Sequence, residues 1–196
     1  MSVDKVILMA VLTTLAAIGI LLVFIVVGLC SLFPSTSMHI TYDMGMEASC
    51  IYFAERAYKG SHEIYYIAYA TEVAIEDDKT EKIATCGEKF IADEKFEEYC
   101  SLKGENYKQF IYGQVCVSKY DKGEKGESVA LAVESLNGGF PEGNALVAVL
   151  LTALQAEDGA TVALIKDKLV EIQGQIGANA YLENTLNLLN GYPDVL

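Results

Sequence analysis

The run from Val6 to Phe33, VILMAVLTTLAAIGILLVFIVVGLCSLF, constrains this chain most, because its 28 residues carry no charged side chain. A bilayer core about 30 Å thick is crossed by roughly 20 apolar helical residues, so the run can span one even when tilted. Only Thr13, Thr14 and Ser31 interrupt it. Such hydroxyls can donate to carbonyls of their own helix, so they do not forbid burial in lipid. A secretory leader has an apolar segment of about 7–15 residues followed by a small-residue cleavage site; this run is longer, and no A-x-A follows it. Leu29 stands where a lipobox wants a small residue before Cys30. The sequence therefore predicts an uncleaved transmembrane helix over 6–33 behind a short head, 1–5.

Orientation rests on Lys5 and the α-amino group, since the next basic residue is Arg56. The excess of positive charge on the cytoplasmic side then predicts a single-pass cell-membrane protein whose large domain is extracytoplasmic. The polar stretch PSTSMHITYD reads as part of a linker, 34–45, short enough to keep that domain at the membrane surface. A helical domain, 46–191, and a tail, 192–196, complete the chain.

Net charge is −13, and Asp4 cancels Lys5, so the deficit lies beyond the apolar run. Such a domain is repelled by nucleic acid and anionic headgroups, and with one arginine and no basic cluster in sequence a nucleic-acid role is excluded. No acidic run is regular enough for an ion-binding loop.

From Gly45 onward the punctuation is regular. Breaks are expected at Gly60-Ser61, Asp77-Asp78, 93–95, Gly104, Gly123, 138–141, Asp158-Gly159, 174–177 and Gly191. Between them apolar residues recur at i, i+3, i+4 and i+7, as in Cys50, Phe53, Ala54 and Ala57 or Val129, Ala132, Val133 and Leu136. The segment 146–154 is apolar nearly all round and is expected to be the most buried helix. Asp78 and Ser61 read as N-caps, the first with Glu81 at capping-box spacing. No stretch sustains strand alternation. The fold class is all-α.

Beyond Cys30, the cysteines Cys50, Cys86, Cys100 and Cys116 are separated by 36, 14 and 16 residues, which suits neither zinc nor a CxxC pair. Two disulfides are possible outside the cell, but Cys50, Cys86 and Cys116 lie on apolar stripes, which favours thiols acting as small core residues.

Helices of 12–17 residues joined by short turns, with a two-helix period near 34–38, describe an α-solenoid of helical hairpins. Tyr112 to Leu136, YGQVCVSKYDKGEKGESVALAVESL, resembles a degenerate tetratricopeptide-type (TPR-like) repeat, with its turn at Gly123. Weaker copies are AERAYKGSHEIYYIAYATEVAIE, turning at Gly60, and ALVAVLLTALQAEDGATVALIKDKLVEI, turning at Asp158-Gly159. The family's aromatic and proline positions are mostly missing. The resemblance implies protein or peptide binding on the concave face of the stacked first helices, and Tyr65, Tyr66, Tyr69 and Tyr112 are the candidate partner-binding residues. Tyrosines filling helix-packing positions are the plainer alternative. Tyr65 and Tyr66 diverge by about 100° on a helix, so at least one should be exposed.

No motif points to chemistry. His39 and His62 lack partners at metal-ligand spacing, and no phosphate loop, dinucleotide fingerprint or nucleophile elbow occurs. The expectation is a non-enzymatic scaffold with no catalytic residue, cofactor or metal. Its runner-up is a small-ligand or cell-wall-fragment binder with a tyrosine-lined pocket.

Overall fold

A computed structural model describes residues 3–191. It is all helical: α1 (Val3–Leu32), α2 (Pro34–Asp43), α3 (Glu47–Ser61), α4 (Ile64–Glu76), α5 (Thr80–Ile91), α6 (Phe96–Lys103), α7 (Tyr107–Asp121), α8 (Lys125–Glu134), α9 (Ala145–Gln155), α10 (Gly159–Ile176) and α11 (Ala180–Asn190). The predicted tail, 192–196, lies outside the described residues.

α1 is long and apolar enough to cross a membrane. Its stretch Met9–Leu32 has a mean hydropathy of 2.9 and none of it is buried by the rest of the chain. The expected self-satisfaction of its hydroxyls is seen: Thr13 donates to Met9 O at 2.9 Å and Thr14 to Ala10 O at 2.8 Å. One residue, Phe33, leaves helical geometry (φ −124, ψ 66) before α2 begins at Pro34. Proline has no N–H, so the Cys30 carbonyl loses its natural partner four residues on. The Ser37 hydroxyl stands in, its single proton shared between Cys30 O at 3.3 Å and Phe33 O at 3.0 Å.

The expected linker over 34–45 is instead mostly helix. Met38 is fully buried, Ser37 and Thr41 are nearly so, and α2 packs along α3. Serine and threonine have poor helix propensity, which makes PSTSMHITYD look unstructured, but packing of one face overrides propensity. The Thr41 hydroxyl donates to Ser37 O at 2.8 Å, so its burial leaves nothing unpaired.

Beyond α2, each helix packs on its chain neighbour or the next but one: α3 on α4, α4 on α5, α5 on α7, α7 on α8 and α9, α9 on α10, α10 on α11. Four tyrosine phenols staple this order by donating to distant carboxylates. The pairs are Tyr42 to Glu76, Tyr58 to Asp93, Tyr107 to Glu72 and Tyr120 to Asp158, spanning 34, 35, 35 and 38 residues. The spans are similar in length, but the first two pairs reach two helices along the chain and the last two reach three.

The most buried helix is not the one over 146–154. α7 buries eight of fifteen residues and α9 five of eleven, with Leu151 of α9 46 % exposed. α7 is covered by α5, α8 and α9, whereas α9 keeps an outward face. The α5–α7 approach depends on Gly87, where a Cβ would lie 2.1 Å from Val115 Cγ2.

Chain breaks fall at or beside the expected positions, but the turning residues differ. Gly60 is helical, and His62 takes the left-handed conformation at φ 56. Histidine is among the few non-glycine residues that enter this region with some frequency. Asp78 is likewise left-handed (φ 51), so it caps nothing, and Lys79 holds the N-cap position of α5. Ser61 ends α3 and accepts the Glu63 N–H at 3.2 Å rather than capping α4. Side-chain caps occur late in the chain, at Asn144, Asp158 and Asn179.

Cys50, Cys86, Cys100 and Cys116 are free and buried, as the core reading expected. Burial pushes their thiols up to about 11, 11, 12 and 12 respectively.

Candidate functional site

On α3, Tyr52, Glu55, Arg56 and Lys59 follow helical spacing and share one face. They border a cleft of about 680 Å³, completed by Tyr58, by His62 at the end of α3, by Ile67 of α4 and by Lys89 of α5. Ile67 is fully buried; Tyr52 is 55 % exposed.

The charges of this cleft are unequal. Glu55 Oε2 accepts from Lys82 Nζ and Glu55 Oε1 from Lys89 Nζ, both at 2.6 Å. Burial alone would raise the Glu55 pKa, but the two ammonium groups hold it below the ordinary value. Among the described residues Arg56 makes one side-chain hydrogen bond, Nη1 donating to the Tyr52 phenol at 3.4 Å. Among the described residues neither Arg56 nor Lys59 forms an ion pair. Three cations thus line the cleft against one carboxylate that is already doubly bonded. No basic cluster is visible along the chain because Arg56, Lys59, Lys82 and Lys89 come from α3 and α5, which folding brings together.

Tyr58 is held in the cleft wall by a part-buried bond. Its phenol donates to Asp93 Oδ2 at 2.8 Å, and burial followed by that bond raises its pKa to about 12. It stays a neutral donor.

The tyrosines expected to bind a partner lie elsewhere. Tyr65, Tyr66 and Tyr69 of α4 gather with His39 and Tyr42 of α2, with ring centroids 5.9 Å apart for Tyr65–Tyr69, 5.7 Å for His39–Tyr69 and 5.6 Å for Tyr42–Tyr69. Tyr65 is exposed, as at least one of them had to be, while Tyr66 and Tyr69 are half-buried. Burial pushes the Tyr69 phenol well above its ordinary value. This cluster buttresses α2 against α4. Tyr112 does not join it: it is 6 % exposed, its ring meets Phe96 edge-on at 5.7 Å, and burial raises its phenol to about 12.

The sequence pointed to Tyr52 and Tyr58 only as two of its many tyrosines, and Arg56, Lys59 and Lys89 were not expected as site residues. A usable signal existed: the only arginine has a tyrosine four residues before it and a lysine three after, on one helix face of an acidic chain.

A second polar cluster surrounds Lys119 of α7, whose side chain is 5 % exposed. Its Nζ donates to Glu88, to Glu124 at 2.8 Å and to Glu127 at 3.0 Å. The three carboxylates approach within 4.8 Å of one another, close enough to share a cation, and the lysine is that cation. Burial would lower the Lys119 pKa, but the carboxylates raise it. Bonds from Lys119 and Lys122 hold Glu124 down to about 2. The cluster ties α5, α7 and α8 together.

The α3–α5 cleft therefore offers cationic donors, two aromatic faces and an apolar floor, with no thiol or serine hydroxyl among its lining residues. Its groups can recognise and hold. Compared with protein-family models, with curated proteins and with solved structures, the chain finds no match.

Proposed function

We propose that this chain is a membrane-anchored helical-repeat protein whose domain docks a protein or peptide segment at the membrane surface. The α3–α5 cleft carries the reading. It lies between α3 and α5, bridged by the Glu55 ion pairs, helices that a tetratricopeptide-like reading takes as the first of successive hairpins, and its open cations and aromatic faces suit recognition rather than catalysis. The packing of each helix on its chain neighbour or the next but one supports the repeat reading. The length and composition of α1, and the single-residue break before α2, support an anchor that keeps the domain close to the bilayer. An extracytoplasmic domain remains the orientation proposed, on the charge asymmetry around α1.

Photo-crosslinking tests the docking function. A benzophenone amino acid replacing Tyr52 in the full chain, expressed in its native membranes, should give a discrete protein adduct on irradiation. The same group replacing Val170, which is 55 % exposed on α10, should not. Absence of a specific adduct at residue 52, or equal adducts at both positions, refutes the reading.

A further inference from the structure

We propose that the α3–α5 cleft takes an acidic segment of its partner, a peptide stretch bearing several carboxylates. The inference rests on the docking function above and names the partner's chemistry. A chain of net charge −13 would ordinarily spread its few cations in pairs with its many carboxylates. Lys82, Lys89, Lys103, Lys108, Lys119, Lys122, Lys125 and Lys168 do so. Lys79 does so too, while Arg56, Lys59, Lys95 and Lys166 form no ion pair among the described residues; of these four, Arg56 and Lys59 sit beside one cleft. An arginine whose one side-chain hydrogen bond goes to a phenol keeps its planar fork free for a carboxylate.

The layout matches an extended ligand. Arg56 and Lys59 are separated by about 4.5 Å along the axis of α3, at 1.5 Å per residue, and Lys89 stands across the cleft on α5. Successive carboxylates along a peptide can meet these donors in turn, while Tyr52 and Tyr58 offer faces to the intervening side chains.

The whole-domain charge opposes anions, so distance decides the outcome. At physiological ionic strength charges are screened beyond about 8 Å, so a short peptide inside the cleft responds to the local cations. A bilayer of anionic lipid is wide and must also meet the acidic remainder of the domain. This favours the peptide over a headgroup surface.

The test uses the full-length protein in phosphatidylcholine nanodiscs and a fluorescein-labelled ten-residue peptide of alternating Glu and Ala, followed by anisotropy. The Glu peptide should bind, weaken as salt rises, and bind about tenfold better than its Gln counterpart. R56Q/K59Q should reduce affinity about tenfold, whereas K166Q/K168Q on α10, which does not line the cleft, should leave it unchanged. Equal binding of the Gln peptide, no effect of R56Q/K59Q, or equal loss in both double variants overturns the proposal. So does displacement of the Glu peptide by millimolar inorganic phosphate, or by phosphatidylglycerol vesicles, that depends on Arg56. If crosslinking through residue 52 captures a partner whose contacting segment is not acidic, the charge inference fails while the docking function stands.

Discussion

Replacing one buried helical glycine should destabilise the domain while replacing another should stabilise it, and the local geometry sets both signs. Gly87 of α5 and Gly113 of α7 are both buried in helix interiors. Alanine in place of glycine relieves backbone entropy and should contribute about 0.5–1 kcal/mol at either position. At Gly87 the new Cβ would lie 2.1 Å from Val115 Cγ2, against a comfortable carbon–carbon separation of about 3.5–4.0 Å. Val115 is fully buried, and a β-branched side chain in a helix has essentially one χ1 rotamer, so α5 and α7 must separate. Overpacking of this kind costs about 1–3 kcal/mol, so Gly87→Ala should lose up to about 2.5 kcal/mol net. At Gly113 the Cβ would sit 3.8 Å from Ala148 Cβ, an ordinary contact, and Gly113→Ala should gain up to about 1 kcal/mol. Urea unfolding of the full chain in detergent, followed by tyrosine fluorescence, reads both changes as opposite shifts of the midpoint. Val115→Ala added to Gly87→Ala should recover part of the loss, giving a favourable coupling energy above about 0.5 kcal/mol. A higher midpoint for Gly87→Ala, or equal shifts at the two glycines, refutes the reasoning.

Three further outcomes follow from the polar clusters and the thiols. Lys119→Gln leaves Glu88, Glu124 and Glu127 facing one another without their cation. It should destabilise by about 1–3 kcal/mol, less than a fully buried pair because the carboxylates are partly exposed. Glu124 has a depressed pKa, so its stabilisation is present above the ordinary carboxylate value and is lost as pH falls towards about 2; Lys119→Gln should flatten this acid limb in a pH series of urea midpoints. Tyr58→Phe removes the bond to Asp93 and should cost about 0.5–1.5 kcal/mol. With its phenol raised to about 12, Tyr58 contributes stability that is complete below pH about 10 and declines as pH rises through 12, so the variant and the parent should converge in alkaline urea titrations. In membranes without reductant, Cys50, Cys86, Cys100 and Cys116 should resist a thiol reagent until the domain is unfolded and then all react; thiols still unreactive after unfolding would mean disulfides.

The apolar helix, the all-α class and the chain breaks were legible along the chain. Each depends on local composition or on periodicity, which a linear reading can count. The α2 helix was not, because Ser37 and Thr41 look unhelical until Met38 finds a place against α3. Nor was the central position of α7, since burial depends on how many neighbours cover a helix rather than on how apolar it is. Tyr65, Tyr66, Tyr69 and Tyr112 drew notice by residue type, yet side-chain direction placed three of them in one buttress and Tyr112 in the core. The cleft was least visible of all. Its cations come from helices whose contact exists only after folding, and whether Arg56 is paired or open depends on which carboxylates those helices bring within reach.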